Sequence, residues 1–249
     1  PERKTPPQQP AQPQKDRIEA LQALWAVAEQ NRGHDCIKTY LHGRGLDVTT
    51  IEPIVSTLGF VEALDYWVQD DKGKWLVLGQ YPAIVAKFES VGGELMGLHR
   101  TYLNTDCTSK LSINDPFTGR LLDAKKMMAR HQGSNTGTAI QLCPAAEYLA
   151  VCEGIENGAA IYQESGLPVW ACGSAGGMAA MALPSTVKQL FVFADTDANE
   201  AGIKAARRLE SRAIAQGIEV RIWQSGMVGM DILDVVTARQ AAACAKPKH

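Results

Sequence analysis

The chain has 249 residues and no apolar run near the roughly 18 that a bilayer-spanning helix needs. No apolar signal-peptide core follows Pro1, so the sequence shows no secretion signal. The six cysteines (36, 107, 143, 152, 172 and 244) include no CxxC pair, which excludes a zinc ribbon within these residues. Cys152 and Cys172 fall inside strand-like runs and read as small buried hydrophobes in a reducing, cytoplasmic setting. Excess charge is also missing. A net −2 with a pI near 6.3 gives no global field for nucleic acid, which leaves only a local basic groove for that purpose. The glycine-rich ACGSAGG (171–177) has neither a Walker lysine nor the GxGxxG spacing, so it is not a P-loop or a Rossmann fingerprint. It reads as a tight strand-to-helix connection or as a loop offering backbone N–H groups to a phosphate. There is no internal repeat.

Four segments follow from composition and period. Residues 1–15 are a Pro/Gln-rich, disordered linker, which suggests a piece of a longer protein. Residues 16–145 read as an α+β subdomain. Ile18, Leu21, Leu24, Trp25 and Ala28 recur at helical spacing, and a second helix covers 36–42, ending at Gly43 or Gly45. Strand-like runs at 66–68, 75–78 and 83–86 follow, with Asp71-Lys72-Gly73 as a hairpin turn and a further turn at 91–93. Residues 146–242 alternate strand and helix, which predicts an α/β domain with a parallel sheet of about four strands. The expected helices there are 155–164, 176–183 and 199–216. The last has Ile203, Ala206, Leu209, Ala213 and Ile214 toward the sheet and Lys204, Arg207, Arg208 and Arg212 outward. Residues 243–249 form a tail.

Three apolar runs in that alternating part end in acids. YLAVC (148–152) leads to Glu153-Gly154, LFVFA (190–194) to Asp195-Thr196-Asp197, and IEVRIW (218–223) through a loop to Asp231 and Asp234. Ligands of parallel sheets sit at the carboxyl ends of strands, so the fold gathers Glu153, Asp195, Asp197 and one of Asp231 or Asp234 at one edge. Such a cluster is tolerable when a divalent cation neutralises it, and an all-oxygen set suits Mg²⁺ or Mn²⁺. Asp195 and Asp197 are alternate residues of an extended segment and share a face. Plainer readings exist for the others: Glu153 as an acid at a helix N-terminus and Asp231 as an N-cap. Upstream, Arg100, Lys110, Lys125, Lys126 and Arg130 form a basic run suited to a template backbone or nucleoside triphosphates. His99 within it reads as an ordinary surface or core histidine.

The order EG, then DTD followed by AG and AA, then a late acid pair resembles the Toprim domain, over about 146–236. Among its families the chain is most similar to DNA primases, particularly those of phages, plasmids and integrative elements. YLHGRGL (40–46) and GLHRTYL (97–103) resemble segments that precede Toprim in mobile-element primases. The chain departs from the pattern at Gly158, where alanine is usual, and in a three-residue spacer (198–200) before the AG. A zinc ribbon and a helicase-interaction domain are not among these residues.

The resemblance implies a primase core that joins ribonucleotides on single-stranded DNA. Asp195 and Asp197 would hold Mg²⁺ or Mn²⁺, assisted by Asp231 or Asp234, and Glu153 would serve as a further ligand or as a general acid/base. Arg100, Lys110, Lys125, Lys126 and Arg130 would contact template or triphosphate. The expected partners are single-stranded DNA, ribonucleoside triphosphates and a helicase or relaxase domain of the parent protein, with no membrane. Two alternatives stand beside this reading: a Toprim nuclease using the same metal site, and a catalytically silent DNA-binding or docking module of a conjugative protein.

Overall fold

The computed structural model describes residues 16–196 and 200–244. Helices α1 (Ile18–Glu29), α2 (Asp35–Gly43) and the short α3 (Glu52–Val55) precede four strands: β1 (Gly59–Gln69), β2 (Trp75–Glu89), β3 (Leu95–Tyr102) and β4 (Lys125–Ala129). These form an antiparallel sheet in simple sequential order. The expected turn at 71–73 closes the first hairpin, with Gly73 at φ +78. The runs read at 66–68, 75–78 and 83–86 are parts of two much longer strands. Register shifts between Val61 and Leu64 and between Tyr66 and Trp67 break the period-2 pattern, so the sequence understates the strands' length.

Alternation divides β3 and β4 between two faces. His99 and Thr101 lie opposite Met127 and Lys125 on one face, while Leu98 and Arg100 lie opposite Met128 and Lys126 on the other.

The rest of the chain is α/β: β5 (Ile140–Gln141), β6 (Tyr148–Cys152), α4 (Ile155–Ser165), β7 (Val169–Ala171), α5 (Ala175–Ala180), β8 (Gln189–Phe193), α6 (Ala201–Ile214), β9 (Glu219–Trp223) and α7 (Ile232–Cys244). The sheet order is β5-β7-β6-β8-β9. The four later strands are parallel, as expected, and β5 adds an antiparallel edge against β7. Strand β6 connects to β7 on one side and has β8 on its other side. This reversal of winding is the place where open α/β sheets leave a crevice at their carboxyl ends.

One apolar core joins the two sheets. Phe60, Ile84 and Phe88 of the antiparallel sheet share it with Ala150 of β6 and with Ile232 and Leu233 of α7. A second core under α5 and α6 holds Leu149, Val192, Met178 and Leu209. Helix α6 corrects two expectations. Ile214 is 59% exposed, because it stands past Ala213, the last position whose side chain faces the sheet. Arg212 turns inward and donates to Ala179 O (2.7 Å) and Met181 O (2.9 Å), satisfying carbonyls at the end of α5. Helix α5 ends at Ala180, short of the expected 183. Among the described residues no helix is long and apolar enough to cross a membrane.

Gly202 fixes how closely α6 approaches the end of β8. A Cβ there would lie 2.4 Å from Asp195 O and 3.1 Å from Asp195 N. Backbone is a neighbour that cannot rotate aside, so Gly202→Ala must push the helix off the Asp195 segment. Denaturant unfolding should show a loss of about 1–3 kcal/mol, the usual cost of overpacking. A neutral result would mean that the segment yields at no cost.

Candidate active site

Glu153 follows β6, Asp195 stands two residues beyond β8, and Asp231 immediately precedes α7. All three line one cavity of ≈ 190 Å³. Its other lining residues include Arg44, just after α2, and His99, Lys110 and Lys125 from the antiparallel half. The cavity is therefore built between the two halves, with carboxylates from the ends of β6 and β8 and from the start of α7, and cations from the antiparallel half.

The polar contact that organises it is made by Glu156, on the first turn of α4 and only 5% exposed. Tyr40 OH of α2 donates to its Oε1 at 2.7 Å, Lys110 Nζ lies 2.9 Å from Oε1, and Lys125 Nζ donates to Oε2 at 3.1 Å. Burial alone would raise this carboxyl's pKa, but the Lys125 and Lys110 ammoniums hold it well below the ordinary range. Lys110 is itself pulled down, first by burial and then by Lys125, with Glu156 opposing. The two shifts are compatible, because one carboxylate serves two ammoniums that repel each other. Gly154 leaves room for the pair: a Cβ there would sit 3.4 Å from Glu156 Oε2 and 3.7 Å from Lys125 Nζ.

The neighbouring Asn157, also 5% exposed, donates from Nδ2 to Asp195 Oδ1 at 3.1 Å and so orients that carboxylate. Gly158 explains a departure noted in the sequence. A Cβ there would lie 2.5 Å from Leu142 Cδ1, so the Leu142 side chain fills the space that alanine would take. Asp231 and Asp234 cap each other's backbone: Asp231 N donates to Asp234 Oδ2 (3.1 Å) and Asp234 N to Asp231 Oδ1 (3.0 Å). Asp231 lines this cavity, whereas Asp234 lines a different one beside Arg44 and Thr237.

The structure thus brings together Glu153, Asp195, Asp231, Lys110 and Lys125. Asp197 lies outside the described residues. Arg100, Lys126 and Arg130 are not brought to the cavity. Arg100 and Lys126 point to the opposite sheet face, where Lys126 Nζ lies 5.1 Å from the Tyr66 ring centre and Arg100 donates to Tyr102 OH at 3.4 Å. Arg130 commits its guanidinium to Asp16 (2.9 Å) and Glu94 (2.6 Å).

Sequence reasoning missed Tyr40, Arg44, Glu156 and Asn157, while His99 is a core histidine, as the sequence reading allowed, and also lines the cavity. One signal was available: Glu156-Asn157 is a polar pair inside IENGAAI, a segment buried throughout. Buried polar groups require partners.

His99 is buried, edge-on to Phe88 at 6.2 Å, with Nδ1 3.5 Å from Thr101 Oγ1. Burial first, then Lys125, lowers its pKa to about 4, with Arg100 and Lys110 adding to the shift and Glu156 opposing it. Between pH 6.5 and 4 the unfolded chain then binds the proton that the folded ring refuses, so stability falls as pH falls through that window. Glu156 adds nothing above pH 5, because its unfolded carboxyl is already ionised there. Urea unfolding should show about 2 kcal/mol lost from pH 7 to 5 on this account. His99→Asn should remove most of that slope, and an unchanged slope would place the titration elsewhere.

Comparison with known proteins agrees with this fold. Residues 148–242 match the Toprim domain, and residues 15–138 match a domain of unknown function, DUF7146. No curated relative matches the chain by sequence. A crystal structure of a DNA primase domain from Pseudomonas aeruginosa is similar at TM-score 0.55 and 17% identity, over 90% of this chain and 77% of that one. The structure of the DnaG catalytic core is similar at TM-score 0.57 and 15% identity, over 91% of this chain and 77% of that one. The chain carries a Toprim domain over residues 148–242, within the fold of a DNA primase catalytic core.

Proposed function

We propose that this chain is a primase core that joins ribonucleotides on a single-stranded DNA template. The observation that carries the reading is the division of one cavity into two chemistries. Glu153 and Asp195 converge from separate strand ends with Asp231 from the start of α7, and Lys110 and Lys125 join them from the antiparallel half, pinned by Glu156. Phosphoryl transfer needs this pairing, with cationic groups on the phosphates and carboxylates to hold a metal.

The donor chemistry, carboxylate oxygens alone, suits a hard divalent cation. Four carboxylates and three cationic side chains line the cavity, and Glu156 is already occupied by two of those cations. Among the described residues no three His, Cys, Asp or Glu side chains are grouped closely enough to hold an ion. The proposed ligands are therefore Asp195 and Asp197, with Glu153 and Asp231 nearby and Asp234 engaged through its cap with Asp231. Mg²⁺ or Mn²⁺ at that place would activate the 3′-hydroxyl and neutralise charge on the leaving phosphates. Asn157 keeps Asp195 oriented. Lys110 and Lys125 bind the triphosphate, and Glu153 takes or returns a proton at the strand end. Single-stranded DNA and ribonucleoside triphosphates are the proposed partners, with a helicase or relaxase domain of a mobile-element protein as a further one.

Primer synthesis with labelled ribonucleotides on single-stranded DNA tests the assignment. Asp195→Asn should lower it by roughly hundredfold or more, since removal of groups that merely support metal ligands already costs 10–100-fold. Glu153→Gln should keep template binding and lose most synthesis. Near-normal synthesis by both variants sinks the mechanism.

Glu156 is assigned as a positioning residue. Glu156→Gln keeps the shape but releases one ammonium, so KM for the nucleotide should rise about tenfold or more, the value of one charge-assisted hydrogen bond. Glu156→Asp should restore part of that loss. Tyr40→Phe, which removes only the α2 contact, should change stability and leave KM nearly constant. Equal KM values in all three variants would reduce Glu156 to a packing role.

A further inference from the structure

A second cavity, of ≈ 310 Å³, opens on the far side of the turn after β7. Gly173 lines the catalytic cavity, and its chain neighbours Cys172 and Ser174 line this one, so the two meet across a single residue. The partition is thin because it has no side chain. Gly173 sits at φ +77, and a Cβ there would lie 2.6 Å from Phe88 Cζ.

The walls of the second cavity are apolar. Phe88 and Cys172 are almost fully buried, while Met127 is 49% exposed beside them. A half-exposed methionine on a cavity wall is apolar surface that a ligand can cover. Met127 lies on the same sheet face as Lys125 and His99, which both line the catalytic cavity. The polar groups are uncharged: Thr136, Ser174, whose Oγ accepts from Gly177 N at 3.0 Å, and Asn135, whose Oδ1 is buried against Gly97. At the rim, added Cβ atoms would meet nothing within 4 Å at Gly133 and only Ser174 Oγ, at 3.9 Å, at Gly176. The mouth is therefore bare backbone, open to a flat group.

These features select a ligand class. No lysine, arginine, aspartate or glutamate lines the cavity, so it suits neither a phosphate nor a metal ion. Largely apolar walls with an amide and two hydroxyls among the lining residues suit a nucleobase, which has π faces and a hydrogen-bonding perimeter. The volume is at the lower end of small-ligand sites, roughly 300 Å³.

We infer that this cavity receives the base of a nucleotide whose phosphates lie at Lys110 and Lys125, with the Gly173 turn between base and phosphates. The inference rests on the nucleotide-polymerising reading and deepens it. It also gives ACGSAGG a role: a base-side wall in place of a phosphate loop.

Calorimetric titration with Mg²⁺ present tests it, using ATP, CTP and inorganic tripolyphosphate as probes. The wild type should bind both nucleotides about tenfold or more tighter than tripolyphosphate, the order that one stacked base contributes. Ala180→Phe, which fills the cavity, should erase that advantage and leave tripolyphosphate affinity unchanged. Met127→Ala, at a half-exposed position that folding tolerates, should erase part of it. The inference is overturned if both variants keep the nucleotide preference, or if nucleotide and tripolyphosphate affinities fall together. Equal wild-type affinities for nucleotide and tripolyphosphate overturn the base site alone. A wild type that binds neither overturns the polymerising reading and the base site with it.

Discussion

A single buried carboxylate holds the two halves of this molecule in a working relation. Glu156 belongs to α4 of the Toprim domain, yet each of its close partners comes from the other half: Tyr40, Lys110 and Lys125. Burying an ion costs several kcal/mol unless its lone pairs are satisfied, and here both oxygens are engaged. The network is demanding as well as stabilising. Removing Glu156 itself would leave two neighbouring ammoniums without a counter-charge, so this one carboxylate ties α2, β4 and α4 together above the apolar core.

That constraint explains why the cavity lies between the sheets. Parallel pairing of β6 with β8 sets two acids side by side at their carboxyl ends. The crevice above them stays open until the antiparallel sheet supplies its face bearing His99 and Lys125. Lys110 and Lys125 meet the cavity through their shared pairing with Glu156, while Glu153 and Asp195 enter it from the ends of β6 and β8. Because His99 stays neutral in the physiological range, it adds no further positive charge to the lysine side.

The fold was legible where the pattern was local. YLAVC and LFVFA are continuous apolar runs with acids at their ends, so both strands and the positions of Glu153 and Asp195 could be read directly. The basic run was legible only as composition. Whether Lys125 or Lys126 faces the cavity depends on the register of β4 against β3, a one-residue matter that no run of charges encodes. Glu156 was hidden for a related reason. In sequence it is an ordinary first-turn acid, and only long-range contacts, 116 residues away to Tyr40 and 31 to Lys125, turn it into an organising group. Bulges hid the length of β1 in the same way, by interrupting the alternation that marks a strand.

The reciprocal cap at the start of α7 has a consequence for how the cavity and the core communicate. Asp231 spends one oxygen on the Asp234 amide while its residue also lines the cavity. A cation that draws this carboxylate away competes with a cap worth about 1 kcal/mol. The first turn of α7 carries Ile232 and Leu233 into the core shared by both sheets. Were a cation to recruit Asp231, occupancy of the cavity would be linked to fraying of that turn. Amide hydrogen exchange at Asp234 would register the filling of the site from within the protein, without any view of the ligand.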